Sequence, residues 1–132
     1  MRQLKSQTDR FSLTLGVTPG YFHQNANASD SLAASLAAVW QEVMEQVAAE
    51  TDIYVPAIVT SSLAVYSQQH GYPEGGEQVV HFSGTRNPEY CKESDAWKDA
   101  VVAIATEMKT RLKQVTSQID FDEVEMVYLT DK

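Results

Sequence analysis

Apolar and polar residues alternate at two places in the chain, and each alternation runs into a helical stripe. Phe11, Leu13 and Leu15 alternate with Ser12 and Thr14, which is the period of a strand with one buried face. The alternation stops at Gly16 and Pro19, a turn signal. After a polar loop, Ser29 or Asp30 offers a helix N-cap. Leu32, Leu36, Val39, Val43 and Val47 then recur in steps of four, three, four and four, with Trp40 and Met44 beside them. That spacing predicts an amphipathic helix of about five turns. The second half repeats the order. A strand over "EQVVHFSG" meets a turn at Gly84 and Pro88, and Ser94 or Asp95 offers the next N-cap. Trp97, Val101, Ile104, Met108 and Leu112 follow in the same four steps. Each helix leads to a further strand, "YVPAIVTSSLAVYS" and "DEVEMVYL".

The pattern predicts an α+β fold built from two strand–helix–strand repeats, about 11–67 and 77–129, in a single domain over 11–132. Residues 1–10, charged and without a period, read as a flexible lead. Each repeat should place its two strands parallel, through a right-handed crossover, with both helices on one face of one sheet. The other face then lacks cover. Val59, Leu63 and Val65 fall on one side of their strand, with Ile58, Ala64 and Tyr66 on the other. Val79 and His81 oppose Val80 and Phe82, and Val124, Met126 and Tyr128 oppose Val127 and Leu129. A face that is partly apolar and has no helix to cover it predicts a homo-oligomer that closes sheet against sheet.

Two strand–helix–strand repeats, with the ending "RLKQVTSQIDFDEVEMVYLTD", resemble the tautomerase superfamily, which includes macrophage migration inhibitory factor. That resemblance implies a protomer of two repeats and a barrel enclosed by three copies. Its catalytic group would be an N-terminal proline. Residue 2 here is Arg2, so no residue inherits that role. The order of elements also resembles the ferredoxin-like dimers, which use one antiparallel sheet.

Composition narrows the function classes. The 132 residues carry a net charge of -8, which argues against a nucleic acid polymer as partner, since that needs a basic face. No run approaches the ~20 apolar residues of a membrane span, and Met1 to Arg10 hold no secretory apolar region. One cysteine excludes an intrachain disulfide, and a reducing, cytoplasmic setting is the expectation. His23, His70, His81 and Cys91 lack metal-ligand spacing, so neither a metal nor a cofactor is expected. "GYPEGGEQ" leads into a strand without a lysine, and reads as a hairpin turn instead of a phosphate loop. No nucleophile motif is present.

The most suggestive residue is Arg86, because Phe11 to Thr85 contain no lysine or arginine. It stands between a strand and a helix N-terminus, where anions are favoured. The second strand-to-helix loop supplies Thr85, Arg86, Asn87 and Tyr90; the first supplies Thr18, Tyr21 and His23. The reading is a small homo-oligomeric protein that holds a small anionic ligand, nucleotides among the candidates, at these two loops. Arg86 would make a forked contact with the anion; its bland alternative is a pair with Glu89 or Glu93. An isomerase-like enzyme using another acid or base, such as His81 or Cys91, is the runner-up. An assembly module without a ligand is the third reading.

Overall fold

A computed structural model describes residues 1–17, 29–71 and 74–132, the side chains of 29–31 excepted. The elements are β1 (Arg2–Gly16), α1 (Ser29–Thr51), β2 (Ile58–Ala64), β3 (Glu77–Thr85), α2 (Ser94–Arg111) and β4 (Gln118–Thr130), with a single 3-10 turn at Gln68–His70. They form one four-stranded sheet in the order β2-β3-β1-β4, and every neighbouring pair is antiparallel. The α+β class and the two repeats are as expected. Within each repeat the strands point the same way, but a strand of the other repeat lies between them: β3 separates β1 from β2, and β1 separates β3 from β4. This is the split β-α-β arrangement.

Both helices lie on one face. Phe11, Leu13 and Leu15 of β1 and Val80 and Phe82 of β3 meet Leu32, Leu36, Trp40 and Val43 of α1 and Trp97, Val101, Ile104 and Met108 of α2, all buried. Phe11 sits at the centre. Its ring stacks on Trp40 with centroids 5.6 Å apart and meets Trp97 at 6.0 Å in a tilted contact. Trp40 also stacks on Phe82 at 4.9 Å, and its indole N–H donates to the Val55 carbonyl at 2.9 Å. That hydrogen bond lets a buried indole keep a polar partner. Leu32 and Trp97, the first apolar anchors of the two stripes, are equally buried at 2% exposed.

Residues 2–10, expected as a flexible lead, are strand. They pair with β4 in continuous register from Arg2 opposite Thr130 to Arg10 opposite Asp122. In this ribbon Thr8 and Asp9 are buried, and the other side chains of 2–10 are exposed or half-buried and carry no apolar alternation. Ser94 is the first residue of α2 and Glu93 its N-cap, one position earlier than the expected caps. On the helix-free face the central strands present Ser12, Thr14 and His81, while Val124, Met126 and Tyr128 are half-buried along β4. Tyr90 meets Tyr128 there edge-on, with hydroxyls 2.9 Å apart.

Trp97→Ala would remove contacts to Phe11 and to Phe121. Truncation of a buried tryptophan costs about 3–5 kcal/mol. Urea unfolding of the variant should show a loss of that size. A variant as stable as the parent would mean that Trp97 does not anchor the core.

Candidate functional site

The antiparallel pairing of β1 with β3 decides what can come together. Arg10 stands opposite Thr85, and Gly16 stands opposite Val79. The two strand-to-helix loops therefore leave from opposite ends of the sheet, roughly 20 Å apart at about 3.4 Å per residue. Thr18, Tyr21 and His23 lie outside the described residues. Thr85, Arg86, Asn87 and Tyr90 stay together at the far end, where the structure gives most of them local partners.

Arg86 is 8% exposed and Asp9 is 7% exposed. The Arg86 Nε donates to Asp9 Oδ2 at 2.9 Å, and Nη1 donates to the Cys91 and Lys92 carbonyls at 2.9 and 3.4 Å. The Arg86 amide donates to the Asp9 carbonyl at 2.8 Å, and its own carbonyl accepts from the buried Thr8 hydroxyl at 2.6 Å. Ser94 at the start of α2 donates to Asp9 Oδ2 at 2.7 Å, and Lys98 Nζ stands 3.8 Å from Oδ1. Asp9, not Glu89 or Glu93, is thus the acid paired with Arg86. Asn87 holds the turn: its side-chain oxygen accepts from the Glu89 amide, and its carbonyl accepts from the amides of Tyr90 and Cys91. The cluster joins β1, the loop after β3 and the N-terminus of α2.

Burial pushes the Asp9 carboxyl pKa up. Hydrogen bonds from Ser94 and Arg86 and the charges of Lys98 and Arg86 outweigh burial and hold it below its ordinary value of 3.8. The Tyr90 hydroxyl pKa is raised above 10.0 by its hydrogen bond to Tyr128, with a smaller effect from the Glu89 charge.

A cleft of about 860 Å³ opens on the helix-free face at the other end of the sheet. Ser12, Thr14 and Gly16 of β1 form its floor with Val79 and His81 of β3. The same alternation that buries Phe11, Leu13 and Leu15 turns the small residues between them to this side. Tyr66, Glu77, Asp120 and the α2–β4 linker at Lys113–Ser117 form the walls. His81 shares a hydrogen bond of 3.0 Å with the Thr14 hydroxyl. Gln118 donates to Asp120 Oδ1 at 3.0 Å. Glu77 is the first residue of β3, delivered by Gly75 and Gly76 in left-handed conformations (φ +83° and +105°). A Cβ on Gly76 would stand 3.1 Å from the Ala64 carbonyl, so this turn requires glycine. Of "GYPEGGEQ", residues 72–73 lie outside the described residues; Gly71 and 74–76 fall between the antiparallel strands β2 and β3, and Glu77 and Gln78 begin β3. The segment also carries Glu77 into the cleft, which the turn reading overlooked. An acid at the start of β3, on the same side of the strand as Val79 and His81, is the signal that could have found it.

Among the described residues no three of His, Cys, Asp and Glu gather as metal ligands, and no helix is long and apolar enough to cross a membrane. Cys91 is half-buried, and its thiol donates to the Glu93 carbonyl at 3.7 Å.

A two-layer α+β domain with a polar cleft on its uncovered face has the form of a small-ligand-binding protein. The family is shown by the sequence: the SAM lyase profile matches residues 6–130, and the chain belongs to the SAM lyase family. A phage SAM lyase solved in complex with S-methyl-5′-thioadenosine shares the fold, with a TM-score of 0.55 at 13% identity over 92% of this chain and 90% of that one. An amidase of the hydantoinase/carbamoylase family from Burkholderia multivorans aligns over 96% of this chain and 28% of that one, at 12% identity and a TM-score of 0.33, too low to carry an argument. No curated protein matches the chain. The family match overturns the tautomerase resemblance. That resemblance rested on a repeated strand–helix–strand order, which any split β-α-β domain shares.

Removing Asp9 would strand a buried guanidinium, at a cost of about 3–5 kcal/mol for a broken buried pair. Asp9→Ala should lower the urea midpoint accordingly, as should Arg86→Ala. Because the folded pKa of Asp9 is lowered, its contribution is present above the ordinary carboxyl pKa and is lost as pH falls below about 3.8. Asp9→Asn should flatten that acid limb of the stability profile. An unchanged limb would remove Asp9 from the network's pH response.

Proposed function

We propose that this chain binds S-adenosylmethionine in the cleft of the helix-free face and splits it to S-methyl-5′-thioadenosine. The observation that carries the reading is the charge of the lining. Glu77 and Asp120 against Lys113 leave a formal charge of -1 with His81 neutral. The substrate carries a sulfonium, an ammonium and a carboxylate, a net +1. The sequence reading placed an anion on Arg86. In the structure that guanidinium already holds Asp9 and two carbonyls, and the cleft suits a ligand of the opposite sign. Tyr66, half-exposed on the wall, offers a ring face for the adenine.

A lyase step balances without water or an oxidant. The substrate's own carboxylate oxygen attacks its γ-carbon, a C–O bond forms, and the C–S bond breaks with its electron pair leaving on sulfur. The products are the neutral thioether and homoserine lactone, which retains the ammonium. Nucleophile and leaving group belong to one molecule, so the protein's work is to fold the tail with the oxygen behind the γ-carbon. Such orientation supplies large effective molarities. This accounts for a catalytic site without a recognisable nucleophile motif. Loss of a β-proton would give an isomeric alkene, and product analysis separates the two routes.

Self-association is part of the same reading. Leu63 on the edge strand β2 and Val65 just beyond it are 66% and 73% exposed, an apolar patch that a second copy would cover. Light scattering at micromolar concentration should report an oligomer, and Leu63→Asp should reduce it to monomer. A monomeric parent would exclude this part.

Incubation with S-adenosylmethionine should yield S-methyl-5′-thioadenosine and homoserine lactone by chromatography. Glu77→Gln removes one of the two carboxylates that line the cleft. By the worth of a hydrogen bond to a charged group, about 1.5–3 kcal/mol, it should lower kcat/KM roughly tenfold to a hundredfold. Thermal stabilisation by the substrate without any product would favour sequestration over catalysis. Neither product nor stabilisation would exclude the proposal.

A further inference from the structure

Of the residues that form the floor of the cleft, His81 alone titrates. It lies in the middle of β3, a strand with neighbours on both sides, and the residues directly across from it are Thr14 on β1 and Thr60 on β2. The alternation that sends Val80 and Phe82 into the core turns the half-buried imidazole to the helix-free face, alongside Glu77 and Val79. Among the described residues its hydrogen-bond partner is the Thr14 hydroxyl, 3.0 Å from Nδ1. A hydroxyl both donates and accepts. It donates to a neutral ring and accepts from a charged one, so this contact survives protonation. A carboxylate in the same place would hold the imidazole charged, and a backbone amide would hold it neutral. The titratable groups that reach the cleft from the surrounding elements are Glu77 at the start of β3, Asp120 on β4, Tyr66 beyond β2 and Lys113 in the α2–β4 linker. None of them stands directly across the sheet from the ring. Glu77 and Asp120 against Lys113 give the lining a formal charge of -1 with the ring neutral, and of zero with the ring protonated.

We propose that His81 selects, through its own charge, which ligands the cleft accepts: the neutral ring admits a cation, and the protonated ring turns it away. This rests on the proposed S-adenosylmethionine reading and makes His81 a specificity residue of that site. An imidazole changes charge between about pH 5 and 8. Protonation adds positive charge to the lining, so affinity for a cationic ligand falls as pH falls, and a neutral nucleoside is unaffected. Linkage requires the reciprocal effect: a cation bound in the cleft makes the ring harder to protonate.

The test is calorimetric binding at about pH 7 and about pH 5, with two probes that cannot be cleaved by this reaction. Sinefungin carries an amine in place of the sulfonium and keeps its positive charge; S-methyl-5′-thioadenosine is neutral. Sinefungin should bind about tenfold more weakly at the lower pH, the order expected for one unit charge in a partly solvated cleft, with the thioadenosine constant within about twofold. His81→Asn, its folding checked by thermal melting, should remove the pH dependence of sinefungin. The parent supplies a second readout that needs no variant: the His81 ring signal in NMR should titrate at lower pH with sinefungin bound and stay in place with the thioadenosine. A pH dependence retained in His81→Asn, equal weakening of both probes at the lower pH, or an unmoved ring titration would overturn the switch while leaving nucleoside binding intact. A parent that binds neither probe would overturn the functional reading itself, and the switch with it.

Discussion

The contact on which the domain turns is Phe11 between two tryptophans, stacked on Trp40 and tilted against Trp97. It ties the first strand to both helices at once. Because strand side chains alternate, fixing Phe11 on the helix side fixes Leu13 and Leu15 there as well. It also fixes Ser12, Thr14 and Gly16 on the other. The floor of the cleft is thus the reverse of the core, and the same residue order specifies both. A register slip of one position would bury Ser12 and Thr14 and expose three large apolar residues, so the cleft is as strongly specified as the core.

The second constraint is the direction of β3. Running against β1, it sends its C-terminal loop to the end where Asp9 and Arg10 lie. Asp9 and Arg86 meet there, Ser94 joins them from α2, and Arg10 reaches across β4 to Asp122 at 2.8 Å. The scarcity of cations between these two arginines has a physical sense: they are distant in sequence and neighbours in the sheet. One pairs inside the protein and the other outside. The buried pair pins the loop and the helix N-terminus. The uncovered cleft lies at the opposite end of the sheet.

How much was legible follows from these two constraints. The stripes of α1 and α2 and the alternation of β1 and β3 are local, and Phe11, Leu32, Trp40 and Trp97 announce themselves by spacing. The first ten residues do not. Their partner is β4, more than a hundred residues away, and Gln3, Lys5 and Gln7 are exposed polar residues that show nothing of a strand. The partner of Arg86 was hidden for the same reason: Asp9 lies 77 positions earlier, in a stretch without pattern. The repeat itself was visible, but a repeat of strand, helix and strand does not say which strands become neighbours. Interleaving β1 and β3 separates this sheet from other closures of the same order and places the cleft at the opposite end of the sheet from the loop after β3. Glu77 and Gln114 were missed because each looks like a surface residue in its own segment. The sheet brings Glu77 to Gly16, and the α2–β4 linker brings Gln114 there.

The position of the cleft also bears on why catalysis here would require so little machinery. On the proposed reading, the substrate enters with a net positive charge against walls that carry a net negative one. The carboxylate of the tail and the sulfonium neutralise each other as the ring closes. The nucleoside product would leave uncharged, so the attraction that held the sulfonium would have no counterpart in it. The ammonium persists in the other product. An acidic lining that attracts it would hold the tail before and during the step, with the nucleoside fixed at the other end. Two fixed ends and a short chain between them restrict the carboxylate to few positions, and restriction of that kind is what an intramolecular displacement needs from a protein.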